Sequence, residues 1–174
     1  MKHFEYEISG IDGSAAKFVG YCLDNSEEVV PDRVRPSVLV IPGGGYEMTS
    51  DREAEPIAMQ FLAAGFTAFV PRYSVKPSVF PVALLEAADA MTMIREHAAE
   101  WHVDPDAIAV IGFSAGGHLA ANLATSTSDD VLVAHGYDPD AVRPNGLMLA
   151  YPVITSGPLA HRGSFDSLLG ERRN

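Results

Sequence analysis

Four short apolar runs, Ser37–Ile41, Phe66–Val70, Ala107–Ile111 and Leu147–Tyr151, alternate with stretches of helical character, and this alternation constrains the fold more than any other feature of the chain. Runs this uniformly apolar leave no face for water, so they read as strands buried on both sides. Between the second and third runs, from Val82 to about Glu100, apolar side chains recur at Leu84, Leu85, Ala88, Met91, Ile94 and Ala98, the spacing of one helix face. Ser50 and Glu53 have capping-box spacing, while Pro56 favours a start nearer Glu55; either start gives a helix that ends before Gly65. Asp104-Pro105-Asp106 predicts a turn into the third run, and a further helix is expected over about Ala115–Thr125. Ahead of all this, Phe4–Ser9 and Lys17–Leu23 read as an antiparallel pair around a Gly10, Asp12, Gly13 turn. The pattern predicts an α/β domain with a mostly parallel sheet flanked by helices.

The chain has 174 residues, 47% of them hydrophobic, and a formal net charge of −11. That length suits a single domain, which buries about 70% of its unfolded surface, so disorder and a disulfide-stapled scaffold are excluded. The acid excess would repel phosphate backbones, which excludes nucleic acid as a partner. Cys22 is the only cysteine, so no intrachain disulfide or cysteine-rich zinc site can form. It reads as a buried strand residue. Lys2, Glu5 and Glu7 stand where a secretion signal needs an apolar core, which predicts a cytoplasmic location. The apolar stretch Ile108–Ala124 is interrupted by Ser114, His118 and Asn122 and is expected to be interior rather than a membrane span.

Gly112-Phe113-Ser114-Ala115-Gly116 is a G-x-S-x-G placed directly between a buried strand and a helix. In such a turn the serine is strained and projects above the sheet, and glycines flank it because side chains there would strike neighbouring backbone. The helix N-terminus then lies behind Ser114, and the Ala115 N–H points where an oxyanion would develop. A serine that merely caps the helix is the structural alternative. A dinucleotide loop would need glycine at position 114, and neither glycine cluster is followed by the Gly-Lys-Ser/Thr of a P-loop. Pro42-Gly43-Gly44-Gly45-Tyr46, at the end of the first buried run, could be a loose turn or a second set of oxyanion donors. Both glycine loops fall at the C-terminal ends of strands, where ligands bind in open α/β sheets.

With these motifs in view, the chain resembles the α/β-hydrolase esterases and lipases, in the branch of hormone-sensitive-lipase-like enzymes and acetyl-xylan or feruloyl esterases. The resemblance is carried by Val40–Tyr46, Ser50–Ala58, Pro71–Val75, Trp101–Pro105, Ile108–Ala121 and Tyr151–Thr155. It implies that Ser114 is a nucleophile, that Gly44, Gly45 and Ala115 supply oxyanion N–H groups, and that no cofactor or metal is needed. It also implies short acyl esters of sugars as small-molecule substrates, acetate first. Related lipases often have His where this chain has Pro42, a position that precedes the donor glycines.

The family order is Ser, then Asp or Glu, then His, the last two on loops after strands that follow the Tyr151 strand. The catalytic acid and base are therefore expected beyond residue 174, and the α/β-hydrolase fold is expected with its C-terminal strands missing from residues 1–174. Among the resident histidines, His118 lies four positions after Ser114 and is expected to face the sheet or a neighbouring helix. His135 and His161, with Asp129, Asp130, Asp138, Asp140 and Asp166, fall on polar loops and read as solvated. His97 and His102 lie on or just after the long helix, and His3 lies in the first strand. No two histidines have the i, i+4 spacing of a helical zinc site, so metal is not expected. Leu147–Tyr151 carries no edge protection and would be a hazard as an edge strand, so a covering strand or a homo-oligomer through that edge is expected. Two functions from different classes remain: a serine carboxylic-ester hydrolase, with a related peptidase as its variant, and a catalytically silent binding or assembly module.

Overall fold

The computed structural model describes residues 1–126 and 130–173. Six strands form one sheet: β1 Lys2–Ser9, β2 Ala15–Cys22, β3 Arg35–Ile41, β4 Thr67–Arg72, β5 Val103–Phe113 and β6 Gly146–Ala150. Their order across the sheet is β1-β2-β4-β3-β5-β6. The first hairpin is antiparallel and docks antiparallel on β4, whereas β4, β3, β5 and β6 run parallel. Helices α1 Glu55–Ala63, α2 Val82–Glu96 and α3 Ala115–Thr125 connect the parallel strands, and α4 Asp130–Ala134, α5 Pro139–Val142 and α6 Arg162–Leu169 follow.

Alternation along β3 explains why the sheet needs cover on both faces. Leu39 and Ile41 pack with Phe18, Phe69, Val110 and the buried stripe of α2 and α3. Val38 and Val40 turn the other way and meet Ala54 and Ala58 beside α1. Phe18, Phe69 and Trp101, all at most 1% exposed, stack at the centre of the larger layer.

Several expectations are corrected in detail. The long helix stops at Glu96 with His97 as its cap, because the chain must then fold back to bury Trp101. Asp104-Pro105-Asp106 does not precede β5 but bulges within it: Arg35 pairs with Val103 and Ser37 with Ile108, and the Asp106 N–H bonds the Asp104 carboxylate at 2.9 Å. Ser50 makes no capping bond, and a short 3₁₀ turn over Asp51–Glu53 precedes α1. The polar loop after α3 holds the short helices α4 and α5, and α6 was not expected at all. β6 is the strand for which a covering partner is expected. It pairs only with β5 among the described residues, and Leu147, Met148 and Leu149 keep 38, 37 and 42% of their surface exposed. The apolar content anticipated for a strand covered on both sides is present, yet here it forms an edge.

No helix of the described residues is long and apolar enough to cross a membrane.

Candidate active site

Ser114 occupies the single residue between β5 and α3 with φ 51 and ψ −118, a backbone region that L-residues rarely adopt. Strain of this kind costs of order 1–3 kcal/mol and persists only where the surroundings fix it. They do so here. The Ser114 N–H bonds the Ala150 carbonyl at 3.0 Å, and its carbonyl accepts from His118 and Val153. A Cβ on Gly112 would stand 2.3 Å from the Gly116 carbonyl oxygen, and one on Gly116 would stand 2.3 Å from that of Ile41. Both glycines of the motif are thus required by close backbone approach, and the first turn of α3 rests on the end of β3.

The Gly43–Gly45 loop leaves β3 beside this turn. Gly44 and Gly45 have φ of +131 and +69, and Tyr46 follows at +58. A Cβ on Gly43 would lie 3.0 Å from the Ser114 Cβ and 2.7 Å from the Phe113 carbonyl oxygen, so the loop and the serine turn touch. Among the described residues, the N–H groups of Gly44 and Gly45 find no acceptor. The Ala115 N–H belongs to the first residue of α3, where helix geometry offers no intrahelical partner. Ser114, Gly44 and Gly45 line one cavity of about 360 Å³. A second cavity of about 250 Å³ also opens at Ser114, walled by residues 152–155 and Leu159; Tyr151 and His161 border both.

Three contacts hold the loop. The Tyr46 hydroxyl lies 2.8 Å from His118 Nδ1, and the Tyr73 hydroxyl donates to the Pro42 carbonyl at 2.8 Å. Burial raises the Tyr46 hydroxyl and lowers the His118 imidazole, so this pair is neutral. Glu53, read from spacing as a capping-box residue, instead accepts from the Gly43 N–H and the Tyr151 hydroxyl, each at 2.9 Å. Sequence spacing could not show this, because Gly43 lies in the loop after β3 and Tyr151 just past β6, and only the folded sheet brings both to Glu53. Arg72 in turn fixes the Glu53 segment by pairing with Asp51 at 2.8 Å and with Glu55.

The expected nucleophile and loop glycines therefore share one cavity. His118 faces the glycine loop through Tyr46 and meets Phe165 of α6 edge-on. His161 is not a bare loop residue: it caps α6 and stands in both cavities. His135, just past α4, bonds the Val131 carbonyl of that helix, Asp138 caps α5, and neither lines a cavity with Ser114. Asp129 lies outside the described residues. Among the described residues, no cluster of three or more His, Cys, Asp or Glu is arranged to hold a metal. Burial pushes the Cys22 thiol up to about 12, which keeps it unreactive.

The BD-FAE family model matches residues 27–142, which takes in both glycine loops and the serine turn. The chain belongs to the BD-FAE family. It is 36% identical over 143 residues to the endo-1,4-beta-xylanase B of Butyrivibrio fibrisolvens, covering 80% of this chain and 22% of that protein. Among solved structures it is similar to MGS-M1, an α/β hydrolase from a Medee basin deep-sea metagenome library, at 42% identity and TM-score 0.75, covering 91% of this chain and 60% of that one. An acetyl ester-xyloside bifunctional hydrolase from Caldicellulosiruptor lactoaceticus is 37% identical with TM-score 0.77, covering 91% and 56%. The fold of this BD-FAE chain is the α/β-hydrolase fold. The chain spans under a quarter of the xylanase and under two thirds of either solved chain.

Proposed function

We propose that the chain carries the nucleophile of a serine carboxylic-ester hydrolase acting on short acyl esters, acetylated sugars first among them. The observation that carries this reading is the strained Ser114 facing one cavity with two glycines whose N–H groups have no acceptor among the described residues. In this reading Ser114 Oγ attacks the ester carbonyl. The N–H groups of Gly44, Gly45 and Ala115 receive the oxyanion, the alcohol leaves, and water releases the acyl group from Ser114. The step needs a base to take the Ser114 proton and an acid to return it to the leaving alcohol, and the described residues align no such pair on Ser114. Support for an acetylated sugar comes from the similar hydrolase named for acetyl esters and xylosides. A cytoplasmic location and self-association through the open edge of β6 are part of the same reading, the first supported by the buried free thiol and the second by the exposed apolar strand.

The test is hydrolysis of p-nitrophenyl acetate by the chain and by its Ser114→Ala variant, both shown to be folded by circular dichroism. A mass increase of one acetyl group on the wild type alone is expected, with hydrolysis serine-dependent but slow, because the described residues align no acid–base pair on Ser114. Equal rates and no acetyl adduct would overturn the enzyme reading and leave the silent binding module, which is favoured by the lack of an aligned acid–base pair around Ser114 among the described residues.

A further inference from the structure

His161 is held from one side only. Its Nδ1 lies 2.9 Å from Ser164 Oγ and accepts the Ser164 backbone N–H at 3.4 Å. Ser164 is 1% exposed, and its hydroxyl is 3.6 Å from the point where a Cβ on Gly45 would stand, so this anchor is built into the wall of the glycine loop. That N–H is shared with the His161 carbonyl at 3.1 Å; because a backbone N–H can only donate, its second partner Nδ1 is an acceptor, which puts the proton of the neutral ring on Nε2. The ring itself is exposed and borders both cavities that open at Ser114.

Resting on the ester-hydrolase reading above, we infer that His161 is a substrate-binding residue whose Nε2–H donates to a hydroxyl or ring oxygen of the sugar alcohol. The larger cavity, bordered by Arg52 and Glu53, has room for a pyranose ring, and the smaller one, walled by Pro152, Val153, Ile154 and Leu159, suits a short acyl group. His161 stands at their boundary, where the ester bond lies when Ser114 engages it. The same tautomer denies His161 the role of base toward Ser114, because the lone pair that faces inward is already occupied and Nε2 carries a proton. Ser164 is the positioning residue.

The experiment uses ¹⁵N-labelled Ser114→Ala protein, which binds ester without turning it over, titrated with peracetylated xylose. The long-range ¹⁵N spectrum is expected to show His161 as the Nε2–H tautomer, and Ser164→Ala, which removes the hydroxyl but keeps the backbone N–H, is expected to weaken that preference without reversing it. On titration the His161 ring resonances move together with the Gly45 and Ala115 amides. His161→Leu weakens binding about three- to tenfold, the loss of one neutral hydrogen bond, and His161→Gln, which keeps an N–H donor, restores it to within about twofold. An Nδ1–H tautomer, a silent His161 beside moving Gly45 and Ala115 amides, or unchanged binding in His161→Leu would overturn the inference alone. Amides that do not move at all would overturn the ester reading and this inference with it.

Discussion

The hydroxyl of Tyr46 stands 2.8 Å from Nδ1 of His118 and so ties the glycine loop after β3 to the first turn of α3. Tyr46 comes from the glycine loop and His118 from the helix after the serine turn, two segments that the sequence shows separately. Tyr46→Phe leaves a half-buried ring nitrogen without its partner, at a cost of about 1 kcal/mol. Urea unfolding is expected to show that loss, and a Tyr46→Phe/His118→Leu double variant is expected to lose less than the sum of the single changes. Additive losses would mean that the two residues act independently.

The same histidine gives stability a pH dependence with a definite sign. Burial lowers its folded value below 6.5, so as the solution is acidified the unfolded chain takes up the proton first. The contribution of a neutral His118 is full above pH 6.5 and is lost as pH falls from there through the lowered value. Urea midpoints measured on acidification from above that point should fall for the wild type and flatten for His118→Gln. A slope that His118→Gln leaves intact would assign the effect elsewhere.

Gly43→Ala tests how closely the two loops touch. The added Cβ would stand 2.7 Å from the Phe113 carbonyl oxygen, which is backbone and cannot swing aside without carrying Ser114 with it. Displacing a nucleophile by an ångström costs about 10²-fold in rate. The expected outcome is that much loss of serine-dependent p-nitrophenyl acetate hydrolysis with a near-native circular dichroism spectrum. Unchanged hydrolysis would show that the loop yields.

The open edge of β6 gives a prediction about association. Met148→Lys puts a charge on a strand whose Leu147, Met148 and Leu149 are all more than a third exposed. Light scattering should show less self-association for the variant than for the wild type at equal concentration. A wild type that is monodisperse at high concentration would remove the edge as an association site.

Much of the fold was legible because the central strands are long enough and apolar enough to have one reading. β3, β4 and α3 fall where apolar runs and periodicity place them, and the serine turn lies between strand and helix as its glycines require. What local pattern could not show were relationships between distant segments. Glu53 has the spacing of a helix cap, but its carboxylate is claimed by Gly43 and Tyr151. His161 is exposed, as its polar stretch implies, but that it caps α6 through Ser164 beside Gly45 is a relationship between distant segments. β6 carries the composition of a central strand and occupies an edge, because burial depends on what lies alongside and not on the strand's own sequence.

The position of β4 between β2 and β3 dictates an order of assembly. Lys17–Tyr21 pair with residues of β4 that lie roughly fifty positions later, while β3, much nearer in sequence, is not their neighbour. During synthesis the first hairpin is therefore a free two-stranded ribbon, marginal by itself, until Thr67–Arg72 has emerged and settled beside β3. The place of the hairpin in the sheet is thus settled by a strand made roughly fifty residues after it.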